Sequence, residues 1–139
     1  MMNFIVGETV SSDYIPMMLS DLDISSHDLN LGFKPANSSL EVLIIGAGMS
    51  GILAAIKLVE RGIKFKIYEK NIDLGGTWYE NKYPGSRVDI ANHFYSYSFE
   101  ENHQWSEHFS QQPELLEYFK RCFDKYDIQK NTNFETQVT

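Results

Sequence analysis

The strongest constraint on this chain is a glycine turn set between segments of different hydrophobic period. Leu40 to Ile45 is a nearly continuous apolar run, and it leads directly into Gly46-Ala47-Gly48-Met49-Ser50-Gly51. From Met49 to Arg61 the apolar residues Ile52, Ala55, Ile56 and Val59 recur on one helical face, and Gly62 supplies a stop. Lys64 to Glu69 then resumes as a strand with Phe65 and Ile67 on one face. Strand, helix and strand in this order make one βαβ unit with a right-handed crossover. The nearly continuous apolar character of the first strand predicts that both of its faces are covered.

The spacing GxGxxG at a strand-to-helix junction has a physical cause. Gly46 permits the tight turn, Gly48 lets the backbone approach a pyrophosphate, and Gly51 lets the helix pack closely on the strand, which leaves the helix N-terminus aimed at negative charge. Such a match is weak by itself. Here Glu69 ends the second strand 18 residues after Gly51, where a carboxylate accepts hydrogen bonds from an adenosine ribose. The two features together point to a dinucleotide site rather than to a glycine-rich turn that binds nothing. A carboxylate at this position repels the extra phosphate of NADP, so the site suits FAD or NAD, although Lys70 next door works against that selection. The expected fold class is therefore α/β: an incomplete Rossmann-like unit with a parallel sheet, preceded by an N-terminal helical extension.

The extension and linker are assigned to residues 1–39, and the domain to residues 40–139. In the extension, Tyr14, Ile15, Met18, Leu19 and Leu22 recur at helical spacing after Ser11-Ser12, with Pro16 in the first turn, and Lys34-Pro35-Ala36-Asn37 reads as a linker. Residues 71–111 show no clear period yet hold nine of the chain's nineteen aromatic side chains, a content that argues for function rather than disorder. Pro113 to Tyr126 is predicted to be a helix with Leu115, Leu116, Phe119, Cys122, Phe123 and Tyr126 inward. The chain closes on a predicted strand, Asn133 to Val138, in which Phe134, Thr136 and Val138 alternate.

A net charge of -7 disfavours phosphate backbones, so nucleic acid is not an expected partner. No apolar run reaches the roughly 20 residues of a membrane span, and Met1 to Val10 lacks the features of a secretory signal; the expected setting is cytoplasmic. The single cysteine, Cys122, excludes an internal disulfide and is expected to be buried. His27, His93, His103 and His108 fall into no metal-ligand spacing, so no metal is expected.

Gly75-Gly76-Thr77-Trp78, followed by Asn81-Lys82-Tyr83-Pro84-Gly85-Ser86-Arg87-Val88-Asp89, resembles the signature of Baeyer-Villiger monooxygenases. Tyr14-Ile15-Pro16-Met17-Met18, Asn92 to Phe99 and Gln112 to Tyr118 look most like the 4-hydroxyacetophenone monooxygenase branch. The resemblance covers nearly the whole chain. It implies that Gly46, Gly48, Gly51 and Glu69 hold the ADP half of FAD, while Gly76, Thr77 and Trp78 lie along its pyrophosphate and flavin side. Asp89 and Tyr95 match positions that contact FAD, Val138 matches one whose backbone lies near the adenine, and Arg87, Val88 and Asp89 match a stretch facing the nicotinamide cofactor.

Asp89 is the candidate catalytic residue, because a carboxylate beside a flavin orients a cationic partner and tunes the charge around the oxygenated intermediate. Read without the resemblance, it is a turn aspartate in solvent, and Trp78 and Tyr83 are packing residues. The implied reaction is oxygen insertion into a small-molecule ketone through a C4a-peroxyflavin, with O2 as oxidant and NADPH as reductant. A second glycine fingerprint, the linker histidine motif and the catalytic arginine of the family do not occur in this sequence. The expectation is therefore the front part of the FAD domain of a longer enzyme, inactive alone, holding FAD weakly or not at all, and prone to self-association through exposed sheet edges. The rival readings are an N- or S-oxidising flavin monooxygenase, a non-catalytic nucleotide-binding module and a simple NAD-dependent dehydrogenase.

Overall fold

A computed structural model describes residue 9 and residues 11–15, 40–100 and 104–139. Residues 1–32 and 33–139 form two compact units. In the first, Ser12–Tyr14 makes a 3-10 turn capped by Ser11, whose Oγ accepts the Asp13 amide at 3.3 Å. Tyr14 and Ile15 are exposed. The remainder of the helix expected through Leu22, and the linker at 34–37, lie outside the described residues, as do His27 and His103.

In the second unit, β1 (Glu41–Ile45) passes through the glycine turn into α1 (Met49–Glu60), and β2 (Lys64–Tyr68) returns beside β1. The strands pair in parallel with Val42 opposite Phe65 and Ile44 opposite Ile67, which puts the buried residues of both on one face. On that face α1 lays Ile52, Ala55 and Ile56, all fully buried. Val59, expected in the same stripe, is 40% exposed. It lines an open groove with Glu41, Ile63 and Lys64, at the ends of β1 and β2 where the sheet gives out.

The expectation that β1 is covered on both faces is corrected. Leu43 and Ile45 are 56% and 67% exposed, because among the described residues helices cover only the face that carries Ile44 and Ile67. Across from Leu43, Lys66 is exposed as well.

The short α2 (Thr77–Glu80) follows the second glycine pair, and α3 (Gln112–Lys125) packs on α1 and α2. Pro113 sits in the first turn of α3, where its missing N–H costs nothing. The helix buries Leu115, Tyr118, Phe119, Cys122 and Phe123, while Leu116 and Tyr126 are half-buried. Tyr118 was not among the residues predicted to face inward, yet it is completely buried. Its hydroxyl accepts the Tyr97 amide at 2.8 Å, and that partner offsets part of the penalty for burying a phenol.

Tyr97 fastens the irregular segment between α2 and α3. Its own hydroxyl donates to the Met49 carbonyl at 2.6 Å, at the start of α1, and its ring stacks on Phe99 at 5.4 Å between centroids. Asn92 makes a second fastening: its amide group donates to the Glu107 carbonyl at 2.6 Å and to Ser110 Oγ at 2.7 Å, and its Oδ1 accepts the Ser110 amide at 2.8 Å. Irregular backbone is thus held by buried side-chain bonds instead of a ladder.

The last strand is much shorter than predicted. β3 is only Thr132–Asn133, paired in parallel with Ile67 and Tyr68 at the far side of β2. Glu135 has φ +53°, which ends the extended run. The chain then bends over the end of β2, with the amides of Glu135 and Thr136 donating to the carbonyls of Asn71 and Glu69. Val138 is 44% exposed.

Candidate functional site

The site is built where β1 ends. Gly46 has φ +94° and open space where a Cβ would stand, so its demand is conformational. A Cβ on Gly51 would lie 2.0 Å from the Gly46 carbonyl oxygen, so only glycine lets α1 start this close to the strand. Gly48 caps α1 with extended backbone (φ −82°, ψ −174°) and no side-chain bond. The amides at the start of α1 therefore have no side-chain cap, at the end of the helix where the macrodipole favours an anion.

Glu69, the residue after β2, is 3% exposed. Its Oε2 accepts the Ala47 amide at 2.7 Å and its Oε1 accepts the Asn71 amide at 2.8 Å. The carboxylate predicted to serve the ribose thus points at the glycine turn, and both of its oxygens accept main-chain amides.

A second glycine turn closes against the first. The Gly75 amide donates to the Ala47 carbonyl at 2.9 Å, and a Cβ on Gly76 (φ +52°) would stand 3.0 Å from Gly48 Cα. Gly76 needs glycine here through its φ and its close approach, whereas a Cβ on Gly48 would meet Gly76 Cα at an ordinary 3.5 Å. Beyond it, Trp78 is buried and donates from its indole to the Tyr95 hydroxyl at 3.1 Å, the two rings meeting edge to face. Gln112 Nε2 donates to the Trp78 carbonyl, fixing α2 to α3.

The other predicted residues are spread more widely. Thr77 and Asp89 are exposed. Arg87 is exposed and pairs with Glu107 at 3.3 Å. Val88 turns its side chain into the core and donates its amide to the Ser110 carbonyl at 3.2 Å. Tyr83, weighed as a packing or pocket residue, is 62% exposed. Gly46, Gly48, Gly51, Glu69 and Gly76 are therefore brought to one corner, Trp78 and Tyr95 form a pair leading from it, and Arg87 to Asp89 run along the segment bridged to Gln111.

Sequence reasoning missed Ala47, whose amide and carbonyl both serve the corner, and Asn71, whose amide holds the second oxygen of Glu69. These are main-chain contributions and leave no side-chain signature. It also missed Glu80, which draws Lys70 to 2.8 Å and accepts from Asn71 Nδ2 at 3.1 Å. The hydrogen bond from Lys70 holds the Glu80 carboxyl below its ordinary range, and the same bond raises the lysine.

Residues 44–121 match the model of the NAD(P)-binding Rossmann-like domain. The chain belongs to this family. The Rossmann-like domain is 43% identical over 99 residues to a Baeyer-Villiger monooxygenase of Pseudomonas aeruginosa, covering 70% of this chain and 19% of that protein. It is 38% identical over 135 residues to an uncharacterized monooxygenase of Sinorhizobium fredii, covering 94% of this chain and 20% of that protein. Among solved structures it superimposes on OTEMO in complex with FAD and NADP with a TM-score of 0.68 at 39% identity, over 75% of this chain and 20% of that one. The chain spans about a fifth of the length of these relatives. No helix among the described residues is long and apolar enough to cross a membrane.

Proposed function

We propose that residues 40–139 are the front part of the FAD domain of an NADPH-dependent Baeyer-Villiger-type monooxygenase, with residues 1–39 as an extension. The observation that carries this reading is the buried Glu69 carboxylate turned onto the Ala47 amide inside the glycine turn. The likeness to a Baeyer-Villiger monooxygenase and to a structure holding FAD and NADP supports the choice of chemistry.

The residues fit the adenosine diphosphate half of FAD. The uncapped amides from Gly48 onward donate to a diphosphate, Gly46 and Gly51 shape the turn and let α1 start close to β1, and Glu69 accepts from the ribose hydroxyls. Gly76, Thr77 and Trp78 continue toward the flavin, with Tyr95 supporting Trp78. Val138 lends its backbone near the adenine. Asp89 and Arg87 supply exposed charges toward flavin and nicotinamide, and Val88, whose side chain is in the core, offers only its backbone. Bound FAD would supply the redox and oxygen-activating chemistry; the chain's own residues bind and orient it. The substrate is a small-molecule ketone and the oxidant O2. An aryl ketone is the choice favoured by the resemblance of Asn92 to Phe99 to the 4-hydroxyacetophenone branch. The setting is cytoplasmic, and the uncovered face of β1 favours self-association of the isolated chain.

The test is flavin absorbance retained on purification, together with NADPH oxidation stimulated by a ketone, in the longest product of the gene. A yellow protein with ketone-dependent NADPH oxidation supports the reading. A protein that retains no flavin overturns it, as does ketone-dependent turnover by the 139-residue chain alone.

A further inference from the structure

We propose that Glu80 is a specificity-determining residue of the ribose corner: by engaging Lys70 it keeps a cation away from the sugar and so selects an adenosine with a free 2′-hydroxyl over one carrying a 2′-phosphate. The inference rests on the reading that the corner of Gly46 to Gly51 and Glu69 holds an adenine dinucleotide. It goes beyond that reading by assigning selection to a residue outside the glycine turn.

Two charges of opposite sign stand next to each other in sequence at the end of β2. Glu69 is buried and aimed at the turn, and Lys70 is exposed. A free ammonium beside the ribose carboxylate would attract a 2′-phosphate and offset the repulsion by Glu69. Lys70 is not left free: its Nζ lies 2.8 Å from Glu80 Oε1, at the end of the short helix that begins with Thr77. The same carboxylate takes Asn71 Nδ2 at 3.1 Å, while the Asn71 amide holds Glu69 Oε1 at 2.8 Å. Glu80 therefore reaches both residues that follow Glu69, and one of them touches the ribose carboxylate directly. The raised Lys70 and lowered Glu80 ionisations agree with a pair that stays charged at neutral pH, each through the hydrogen bond to the other. As a stabilising contact an exposed pair counts for little. As a choice of where one positive charge stands, it holds the Lys70 ammonium on Glu80.

The test compares binding of ADP-ribose and 2′-phospho-ADP-ribose, which differ only in the 2′-phosphate, to the full chain by calorimetry or amide shifts. The wild-type chain is expected to prefer ADP-ribose. Glu80→Gln should move the preference about tenfold toward the 2′-phosphorylated ligand, the scale of one charge-assisted contact. Lys70→Ala in the Glu80→Gln background should cancel that gain. Glu60→Gln, which changes net charge equally at the opposite end of α1, should leave the preference unmoved. An unchanged preference in Glu80→Gln, with ADP-ribose still bound, overturns the role of Glu80 and leaves the site reading standing. Absence of ADP-ribose binding to the wild-type chain overturns the selection by Glu80, and flavin retention by the longest product of the gene then decides the site reading separately.

Discussion

Glu69 and Ala47, 22 residues apart in sequence, meet through a 2.7 Å hydrogen bond from the alanine amide to a carboxylate that is almost fully buried. Each depends on the other for a partner. The charge is stabilised by main-chain dipoles of the turn, and the turn amide is satisfied only because the chain returns at the end of β2. Glu69→Ala should leave the amides of Ala47 and Asn71 unpaired and lower stability by about 1–3 kcal/mol, read as a shift in the urea midpoint. The same variant should lose affinity for ADP by at least about tenfold, since a charged acceptor is removed from the ribose position.

The two glycines that bracket the turn should respond differently to a methyl group. Gly46→Ala meets open space but keeps a φ of +94°, so it should cost about 1–2 kcal/mol. Gly51→Ala would drive its Cβ into the Gly46 carbonyl and force α1 away from β1, at a cost of about 3 kcal/mol. Urea unfolding of both variants checks the order; equal costs would contradict the close packing of helix on strand.

The βαβ unit was legible in the sequence because its signals are local: an apolar run, a change of period and a glycine fingerprint. The shortening of β3 was not. Phe134, Thr136 and Val138 alternate as a strand should, but the positive φ of Glu135 and the bonds of Glu135 and Thr136 to Asn71 and Glu69 are set by the far end of β2. Gly75-Gly76 stood out in the sequence only as part of the family signature, whereas the contact of Gly76 with Gly48 joins segments 28 residues apart and is visible only in the fold. Leu43 and Ile45 have the character of covered residues and yet are exposed, so their pattern records a requirement that the described residues do not meet.

Tyrosine ionisation should make the fold sensitive to alkali. Burial raises the Tyr97 and Tyr118 phenols, and burial followed by the hydrogen bond to Glu100 pushes Tyr126 up to about 12. Unfolded tyrosines ionise near about 10. Folded-state values above the unfolded one mean that stability is fully present below pH about 10 and falls as the pH rises from there through about 12. Urea midpoints at pH about 8 and about 11 should show this fall, and Tyr126→Phe should reduce its slope.

The core should depend on α3. Phe119 is fully buried and lies against Tyr97 and Tyr118, so Phe119→Ala should cost about 3–5 kcal/mol. Thermal unfolding followed by near-UV circular dichroism checks it, because the same substitution loosens the aromatic cluster that reports there.

The most direct test is to titrate the isotope-labelled chain with ADP and follow its backbone amides. Binding at the proposed corner should shift Ala47, Gly48, Met49 and Asn71 first and most, and Glu69→Gln should abolish those shifts while the rest of the spectrum stays folded. Shifts centred elsewhere on the domain, or an unaltered response in Glu69→Gln, would contradict the assignment of this corner to a nucleotide.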